Sequence, residues 1–182
     1  MLTLLIGGAR SGKSTLAVEL ARSGGSRVTF VATAEALDDD MKVRIDRHRD
    51  ERPSDWTTLE EPVELRHTIE TALSPTVVVD CLTLWVSNMF EHGFDELAII
   101  EAATNTARAA QMSAARVIVV TNEVGSGIIP ADAATRHFRD TLGRVNHIFS
   151  RSADRALLVV AGRVLNLLEP SEIRPISENP TS

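Results

Sequence analysis

The feature that constrains this chain most is a glycine-rich segment at residues 7–14. It satisfies the P-loop pattern G-x-x-x-x-G-K-S/T at every position, through Gly7, Gly8, Ala9, Arg10, Ser11, Gly12, Lys13 and Ser14. An apolar run precedes it at 3–7 and a helix-favouring run follows at 13–22. In this context backbone N–H groups curl around phosphates, and the next helix turns its positive end toward them. We therefore predict that all eight residues bind a nucleoside triphosphate.

Two side chains of this loop are expected to carry the chemistry. In P-loops the lysine contacts the β- and γ-phosphates and the serine hydroxyl binds Mg²⁺, which predicts these roles for Lys13 and Ser14. The chain has only one other lysine, Lys42, and arginine supplies every other cation, so a lysine at this point is not surface filler. The alternative is a glycine-rich turn that merely joins a strand to a helix.

A carboxylate follows the apolar run at 76–80. A P-loop needs an acid near its magnesium, usually at the carboxyl end of a neighbouring strand, and Asp80 occupies such a position. We predict that Asp80 is a catalytic, magnesium-binding carboxylate. It could also cap a helix that begins near Leu82, and the two roles are compatible.

The apolar runs predict the fold class. Short runs rich in branched residues lie at 3–7, 28–33, 76–80, 116–121 and 155–162, and helix-favouring segments at 13–22, 99–115 and 131–152 alternate with them. This alternation predicts an α/β fold with a doubly wound, mostly parallel sheet of the P-loop NTPase type. We expect one domain at 1–168, a charged inserted segment at 35–56, and a C-terminal tail at 169–182.

Composition excludes several other classes of protein. With 19 basic and 25 acidic residues, the net charge of −6 argues against a broad surface for nucleic acid or anionic membranes. The single cysteine, Cys81, excludes an intramolecular disulfide framework and fits a reducing compartment. No apolar run reaches the roughly 18 residues of a membrane span, and the opening residues are not typical of a secretory signal. We predict a cytoplasmic location.

Further motifs follow the P-loop in order along the chain. They are ATA at 32–34, DDDM at 38–41, RI at 44–45, HR at 48–49, RP at 52–53, Trp56, DCLTLW at 80–85, Asn88, TNEVG at 121–125, Gly127, Pro130 and RHFRDTLGRVN at 136–146. Together these motifs resemble the adenosylcobinamide kinase/adenosylcobinamide-phosphate guanylyltransferase family over nearly the whole chain up to Gly162. Several motifs in a fixed order are far more specific than a P-loop alone.

The resemblance implies two reactions in the nucleotide loop assembly of cobalamin. ATP or GTP phosphorylates adenosylcobinamide, and GTP then transfers GMP to adenosylcobinamide phosphate, which gives adenosyl-GDP-cobinamide and pyrophosphate. The corrinoid is thus the expected partner, Mg²⁺ the expected cofactor, and a homo-oligomer, a trimer, the expected assembly. The sequence shows no base-reading motif, so the choice between ATP and GTP in the first step stays open.

The resemblance also implies that His48 carries GMP between the two substrates. A neutral imidazole is nucleophilic near pH 7, and a phosphoramidate splits one transfer into two easier steps. Arg49 and Arg52 would neutralise the triphosphate. From spacing alone, Met41, Ile45 and His48 share a helix face, which favours the alternative of a half-buried histidine that packs against the core.

Other positions complete the predicted site. We expect nucleotide contacts from Thr33, Ala34, Glu35, Thr83, and Glu60 or Glu61. The alternative for the two glutamates is an acidic first turn before a helix near Pro62. Asn122 and Glu123 end a strand where open α/β sheets bind ligands, so they are corrinoid-side or catalytic candidates, or else turn and cap residues.

Two other functions remain compatible with the P-loop. One is a monofunctional small-molecule kinase in which His48 is only structural. The other is a regulatory module that binds GTP and a protein partner. For the bifunctional enzyme we further expect segment 35–56 to close when GTP binds.

Overall fold

The computed structural model describes residues 1–25, 27–35 and 53–172, together with Val43, Ile45 and Arg49. His48 and Arg52, most of the inserted segment at 35–56 with its expected closure, and the tail from 173 onward lie outside the described residues.

The described residues form one seven-stranded sheet and five α-helices. The strands are β1 (Leu2–Gly7), β2 (Val28–Ala32), β3 (Thr57–Glu60), β4 (Thr76–Asp80), β5 (Arg116–Asn122), β6 (Arg155–Val160) and β7 (Arg163–Leu167). The helices are α1 (Lys13–Arg22), α2 (Leu65–Thr71), α3 (Leu82–Glu91), α4 (Glu96–Met112) and α5 (Ala133–Ser152), and a short 3₁₀ turn follows at Pro170–Glu172.

The strand order is β3-β2-β4-β5-β1-β6-β7, and all neighbours are parallel except the antiparallel pair β6 and β7. This confirms the predicted doubly wound, mostly parallel α/β sheet. The sequence pattern differs from the structure at both edges of the sheet, since its apolar runs also omit the edge strand β3. It does not predict β7 and it extends β6 to residue 162, whereas β6 ends at Val160 because Ala161 and Gly162 form a tight turn back into β7.

Helices cover both faces of the sheet, which explains why the central strands are apolar at successive positions. In β5, Ile118 and Val120 pack on the side of α1, while Val117 and Val119 pack against the helices of the opposite face. All four side chains are buried. Burial on both faces is typical of parallel strands in α/β proteins.

The parallel strands bring their carboxyl ends to one edge of the sheet. In the strand register Ala32 aligns with both Glu60 and Asp80, and Gly7 aligns with Asn122. Open α/β sheets bind ligands outside this edge. The ends of β1 to β5 therefore gather the residues that the sequence singled out.

No helix within the described residues is both long enough and apolar enough to cross a membrane.

Candidate nucleotide-binding site

The P-loop joins β1 to α1 through a backbone that most residues adopt only at a cost. Gly12 is the N-cap of α1 with φ of 101°, and Arg10 has φ of 56°. A left-handed conformation costs an L-residue such as arginine about 1–2 kcal/mol, and such strain is concentrated at functional sites. The loop is thus held in a curled shape before any ligand binds.

Gly7 lies at the base of the loop, where only glycine fits. A Cβ at this position would collide with the backbone carbonyl oxygen of Val159 in β6. On the other side, the Glu123 N–H donates to the Gly7 carbonyl at 3.0 Å. The first residue of the P-loop is therefore clamped between β6 and the end of β5.

The turn between β6 and β7 packs directly on the P-loop. Its two residues, Ala161 and Gly162, have φ of 49° and 72°, and the Gly162 N–H donates to the Ser11 carbonyl at 2.9 Å. Two central residues with positive φ are typical of a two-residue hairpin turn. The predicted strand at 155–162 runs through this turn, although a glycine-containing dipeptide between two apolar runs is the signal that indicates a hairpin.

Lys13 folds back into the loop that it belongs to. Its side chain is only 6% exposed, and Nζ donates to the Gly8 carbonyl at 2.7 Å. Burial lowers the pKa of Lys13, while Cys81 and Asp80 act in the opposite direction. The ammonium group also donates to the Ser11 hydroxyl at 3.5 Å, and it can exchange these two oxygens for phosphate oxygens with little reorganisation.

Asp80 ends β4 on the same edge of the sheet, one strand away from β1, a separation of about 10 Å between the two strands. Its carboxylate is half-buried and close enough to Lys13 to favour the charged ammonium form. The N-cap of α3 is Cys81, so Asp80 lies one residue before the cap position that the alternative interpretation gave it.

Thr33 fixes the chain that follows Asp80. Its N–H donates to the Asp80 carbonyl at 3.1 Å, and its hydroxyl donates to the Cys81 carbonyl at 2.8 Å and accepts from the Cys81 N–H at 2.7 Å. The Asn88 amide in turn donates to the Thr33 carbonyl at 2.6 Å. Thr33 is fully buried, so its hydroxyl is committed to Cys81 and positions Asp80.

The two adjacent glutamates at the end of β3 have different contacts. The Glu61 carboxylate accepts from the N–H groups of Val63 at 3.0 Å and Glu64 at 2.8 Å, which are turn contacts before α2. Glu60 instead forms an ion pair with Arg49. The structure therefore separates an internal carboxylate, Glu61, from an exposed one, Glu60.

Glu35, which follows β2, lies beside α3. Its carboxylate is 3.5 Å from His92 Nε2, at the end of that helix. Of the other predicted contacts, Ser14 and Ala34 are half-buried, and Ala9 and Arg10 are exposed at the tip of the P-loop.

A buried amide network holds the end of β5. The Asn146 side chain, on α5, donates to the Asn122 carbonyl at 2.9 Å and accepts from the Thr121 hydroxyl at 2.6 Å. The Thr83 hydroxyl accepts from the Asn122 N–H at 2.9 Å. Thr83, which the sequence predicts to contact the nucleotide, thus also contacts the end of β5. Sequence reasoning missed Asn146, because a single asparagine on an amphipathic helix gives no signal of a partner 24 residues earlier.

The structure brings together the P-loop, Asp80 and the ends of β2, β3 and β5, but it leaves His48 and Arg52 outside the described residues. Among the described residues, no group of three or more histidine, cysteine, aspartate or glutamate side chains has metal-binding geometry.

The chain is similar to known proteins over most of its length. The profile of the cobinamide kinase/cobinamide phosphate guanyltransferase family matches residues 3–167. The chain is 40% identical over 176 residues to the bifunctional adenosylcobalamin biosynthesis protein CobU of Escherichia coli, covering 89% of this chain and 97% of the relative. It is 37% identical over 170 residues to CobP of Pseudomonas aeruginosa, a protein of the same description, covering 89% of this chain and 94% of the relative.

Among solved structures, the chain is similar to the RadB recombinase, with a TM-score of 0.48 and 19% identity over 86% of this chain and 73% of that chain. A similarity this low carries no argument about function. The family match and the two relatives are decisive, since they span most of the sequence: this chain belongs to the cobinamide kinase/cobinamide phosphate guanyltransferase family.

Proposed function

We propose that this chain phosphorylates adenosylcobinamide and then guanylylates the product through a covalent histidine intermediate. In the first reaction the hydroxyl oxygen of the corrinoid attacks the γ-phosphorus of ATP or GTP, and the bond to the β–γ bridging oxygen breaks, releasing the nucleoside diphosphate and the proton of the hydroxyl group. The observation that carries this reaction is the buried Lys13 ammonium group inside the P-loop, whose charge is favoured by the Asp80 carboxylate.

In the second reaction a histidine nitrogen attacks the α-phosphorus of GTP, and pyrophosphate leaves. The phosphate oxygen of the corrinoid phosphate then attacks the same phosphorus, the P–N bond breaks, and the histidine is regenerated with adenosyl-GDP-cobinamide as product. We assign this histidine to His48 on the family resemblance. Arg49, its neighbour in sequence, forms an ion pair with Glu60 at the edge of the sheet where the P-loop lies.

The groups of the P-loop site and the residues that support it have different proposed roles in phosphoryl transfer. The N–H groups of residues 7–14 and the Lys13 ammonium group bind the phosphates and neutralise charge as it moves to the leaving group. Thr33 and Thr83 act indirectly, because their hydroxyls are hydrogen-bonded to Cys81 and Asn122 and fix the strand ends around Asp80.

Mg²⁺ fits the residues present when it arrives with the nucleotide. The Ser14 hydroxyl and Asp80 carboxylate are hard oxygen ligands, both half-buried, the first in the first turn of α1 and the second at the end of β4. Mg²⁺ typically binds one or two protein oxygens and completes its shell with water and substrate phosphates. When bound, it would neutralise charge on the phosphates that Lys13 also contacts.

For nucleotide recognition we propose Glu60 rather than Glu61. The Glu61 carboxylate already accepts two backbone N–H groups, whereas Glu60 is exposed and contacts Arg49. We propose that GTP binding recruits Arg49 and Arg52 to its phosphates, and that Ala34 and Glu35 line the same edge. Glu35 would act from its position beside His92.

The resemblance also supports a homo-oligomer, and we propose a trimer in the cytoplasm. The edge strand β7 exposes Val164, Leu165 and Leu167, apolar side chains that a partner chain would cover. The mass of the native assembly, measured by light scattering, tests this proposal: three times the chain mass is expected, and a monomer at working concentration contradicts it.

The deciding experiment uses GTP labelled at the α-phosphorus. After incubation with Mg²⁺ and without corrinoid, we expect label on the native protein and none on His48→Ala, with pyrophosphate released only by the native protein. Addition of cobinamide phosphate should then move the label from the protein to the corrinoid.

The two rival functions give other results in the same experiment. A monofunctional kinase would phosphorylate cobinamide without ever carrying label. A regulatory module would hydrolyse GTP slowly and be indifferent to corrinoid. Equal labelling of the native protein and His48→Ala would refute the assignment of His48 while leaving guanylylation in place.

A further inference from the structure

A second concave surface lies beside the P-loop, between the loop that follows β5 and the helix α5. The cavity is an open groove with a volume of about 780 Å³, and none of its lining residues belongs to the P-loop. Its walls are formed by Gly125, Gly127, Ile129, Arg139, Asp140, Gly143, Arg144, His147 and Ile148. The volume falls within the range of about 300–1,000 Å³ typical of small-molecule sites.

Gly143 is not required by packing against any described residue. It lies in the middle of α5, where glycine is less favourable than alanine. A Cβ at this position would meet no other atom of the described residues within 4 Å. The same is true of Gly127 on the opposite wall. Because neither residue has a side chain, both positions leave room for a ligand to contact the backbone closely.

The cavity combines apolar walls with hydrogen-bond donors. Ile129 and Ile148 contribute apolar surface, and Arg139 and Arg144 contribute guanidinium groups. Each arginine is oriented by an acid, since Arg139 donates to Asp140 at 2.8 Å and Arg144 lies 2.9 Å from Glu96. The opposite face of α5 is buried in the core, so these groups are displayed from a rigid helix.

The cavity is attached to the phosphate site through the backbone. The loop that forms one wall begins at Glu123, whose N–H donates to the Gly7 carbonyl at 3.0 Å. The helix that forms the other wall contacts the end of β5, through Asn146 and the Asn122 carbonyl. Both walls converge on the strand end that neighbours Gly7. A substrate that accepts the phosphoryl group would therefore extend from the cavity toward the P-loop.

We propose that this cavity binds the corrin ring of the substrate, and this inference rests on the function proposed above. A corrinoid is a broad, mainly apolar macrocycle with amide groups around its rim. The flat surfaces at Gly127 and Gly143 and the two isoleucines fit the ring. The side chains of Arg139, Arg144 and His147 are placed to donate to rim carbonyl oxygens.

The test places a larger side chain in the cavity without changing the packing of the core. Gly143→Leu adds a side chain into the open space, and since leucine favours helix, the variant should be at least as thermostable as the native protein. We expect its KM for cobinamide in the kinase reaction to rise at least tenfold. GTP-dependent labelling without corrinoid should stay within twofold of native. Gly127→Leu, on the other wall, should act in the same way.

Asn105→Leu is the matched control, because it adds an exposed leucine to α4, which contributes no residue to the cavity. Its KM for cobinamide should be native. If Gly143→Leu and Gly127→Leu both keep a native KM while folded, the corrin-binding proposal is wrong. It is also wrong if either variant changes the oligomeric mass, because the cavity would then be a contact between copies of the chain.

Failure of the proposed function looks different from failure of the site. If the native protein neither phosphorylates cobinamide nor becomes labelled by GTP, the function itself is refuted. Equilibrium dialysis of cobinamide against native protein and Gly143→Leu, with no nucleotide present, then measures the cavity independently. At least tenfold weaker binding to the variant supports the site, and equal binding overturns it.

Discussion

The P-loop and the cavity beside it lie at the same edge of the sheet but are specified in different ways. The P-loop uses consecutive residues, 7–14, and mostly backbone N–H groups, so a short motif is enough to encode it. The cavity joins residues 125–129 to one face of α5, and its character depends on which side chains the fold exposes. A backbone site is thus visible in a sequence, whereas a side-chain surface appears only after folding.

Replacement of Lys13 by methionine should give the largest effect. The substitution keeps an unbranched side chain in the buried position but removes the positive charge that would contact the phosphates. Loss of one such electrostatic contact typically reduces turnover about 100- to 1,000-fold. We expect this loss in the kinase kcat/KM, measured with cobinamide and ATP, whereas corrinoid binding at the cavity should be native.

The expected native corrinoid binding tests whether the P-loop and the cavity are separate sites. Equilibrium dialysis of cobinamide should give the same Kd for Lys13→Met and native protein. A large loss of corrinoid binding in Lys13→Met would show that the P-loop and the cavity are not separate units.

The Cys81 thiol makes the P-loop side of the site sensitive to alkaline pH. Burial, followed by the nearby Asp80 charge, raises the pKa of Cys81 from 9.0 to about 11. The folded state therefore holds the proton more tightly than the unfolded state, and stability that is fully present below pH 9.0 is lost as the pH rises to about 11. Two pKa units correspond to about 3 kcal/mol.

Urea unfolding of native protein and Cys81→Ala across this pH range measures the effect. The variant should lose about 3 kcal/mol less than the native protein, from a starting stability that is lower because a buried side chain is truncated. The lowered pKa of Lys13 works in the opposite direction, and because Cys81 raises that pKa, its removal lowers the pKa of Lys13 further in the variant. Parallel pH profiles for the two proteins would contradict the assignment.

The sequence predicts most of this fold for a physical reason that also explains where it fails. Five strands are buried on both faces and appear as continuous apolar runs, and the P-loop is a local motif. β7 is an edge strand whose residues are all exposed, so no burial pattern distinguishes it from a tail. The separate contacts of Glu60 and Glu61 are equally invisible, because both residues have the same chemistry and differ only in direction.

Asn146 tests whether the cavity side depends on long-range contacts. Replacement by leucine leaves the Thr121 hydroxyl and the Asn122 carbonyl without their buried partner. An unsatisfied buried polar group costs about 1–3 kcal/mol, so we expect about 2 kcal/mol less stability in urea unfolding. The KM for cobinamide should also rise several-fold, since α5 and the end of β5 no longer hold each other.

Asn146→Asp provides the comparison, because it keeps the acceptor for Thr121 but removes the donor to Asn122. It should retain part of the stability and show the same shift in KM. If the leucine variant matches native protein in both measurements, the amide network does not position the cavity wall.

The smallest expected effect concerns the turn between β6 and β7, a distant element that contacts the P-loop. Gly162 has φ of 72° and its N–H donates to the Ser11 carbonyl, so Gly162→Ala strains a turn that contacts the phosphate site. Gly93 has a similar φ of 84° and, like Gly162, nothing within 4 Å of its Cβ position. Each alanine variant should therefore lose about 1 kcal/mol of stability through backbone strain alone.

Only the Gly162 variant should also weaken nucleotide binding. As the turn relaxes, its hydrogen bond to Ser11 is lost or lengthened, and one such bond contributes about 1 kcal/mol, or about fivefold in the KM for GTP. Equal stability losses with a GTP effect confined to Gly162→Ala would establish that the hairpin supports the P-loop. Equal KM values for GTP in both variants would mean that the eight-residue motif holds its shape without the hairpin. The P-loop would then be specified by its local sequence alone, in contrast to the cavity, which depends on the fold.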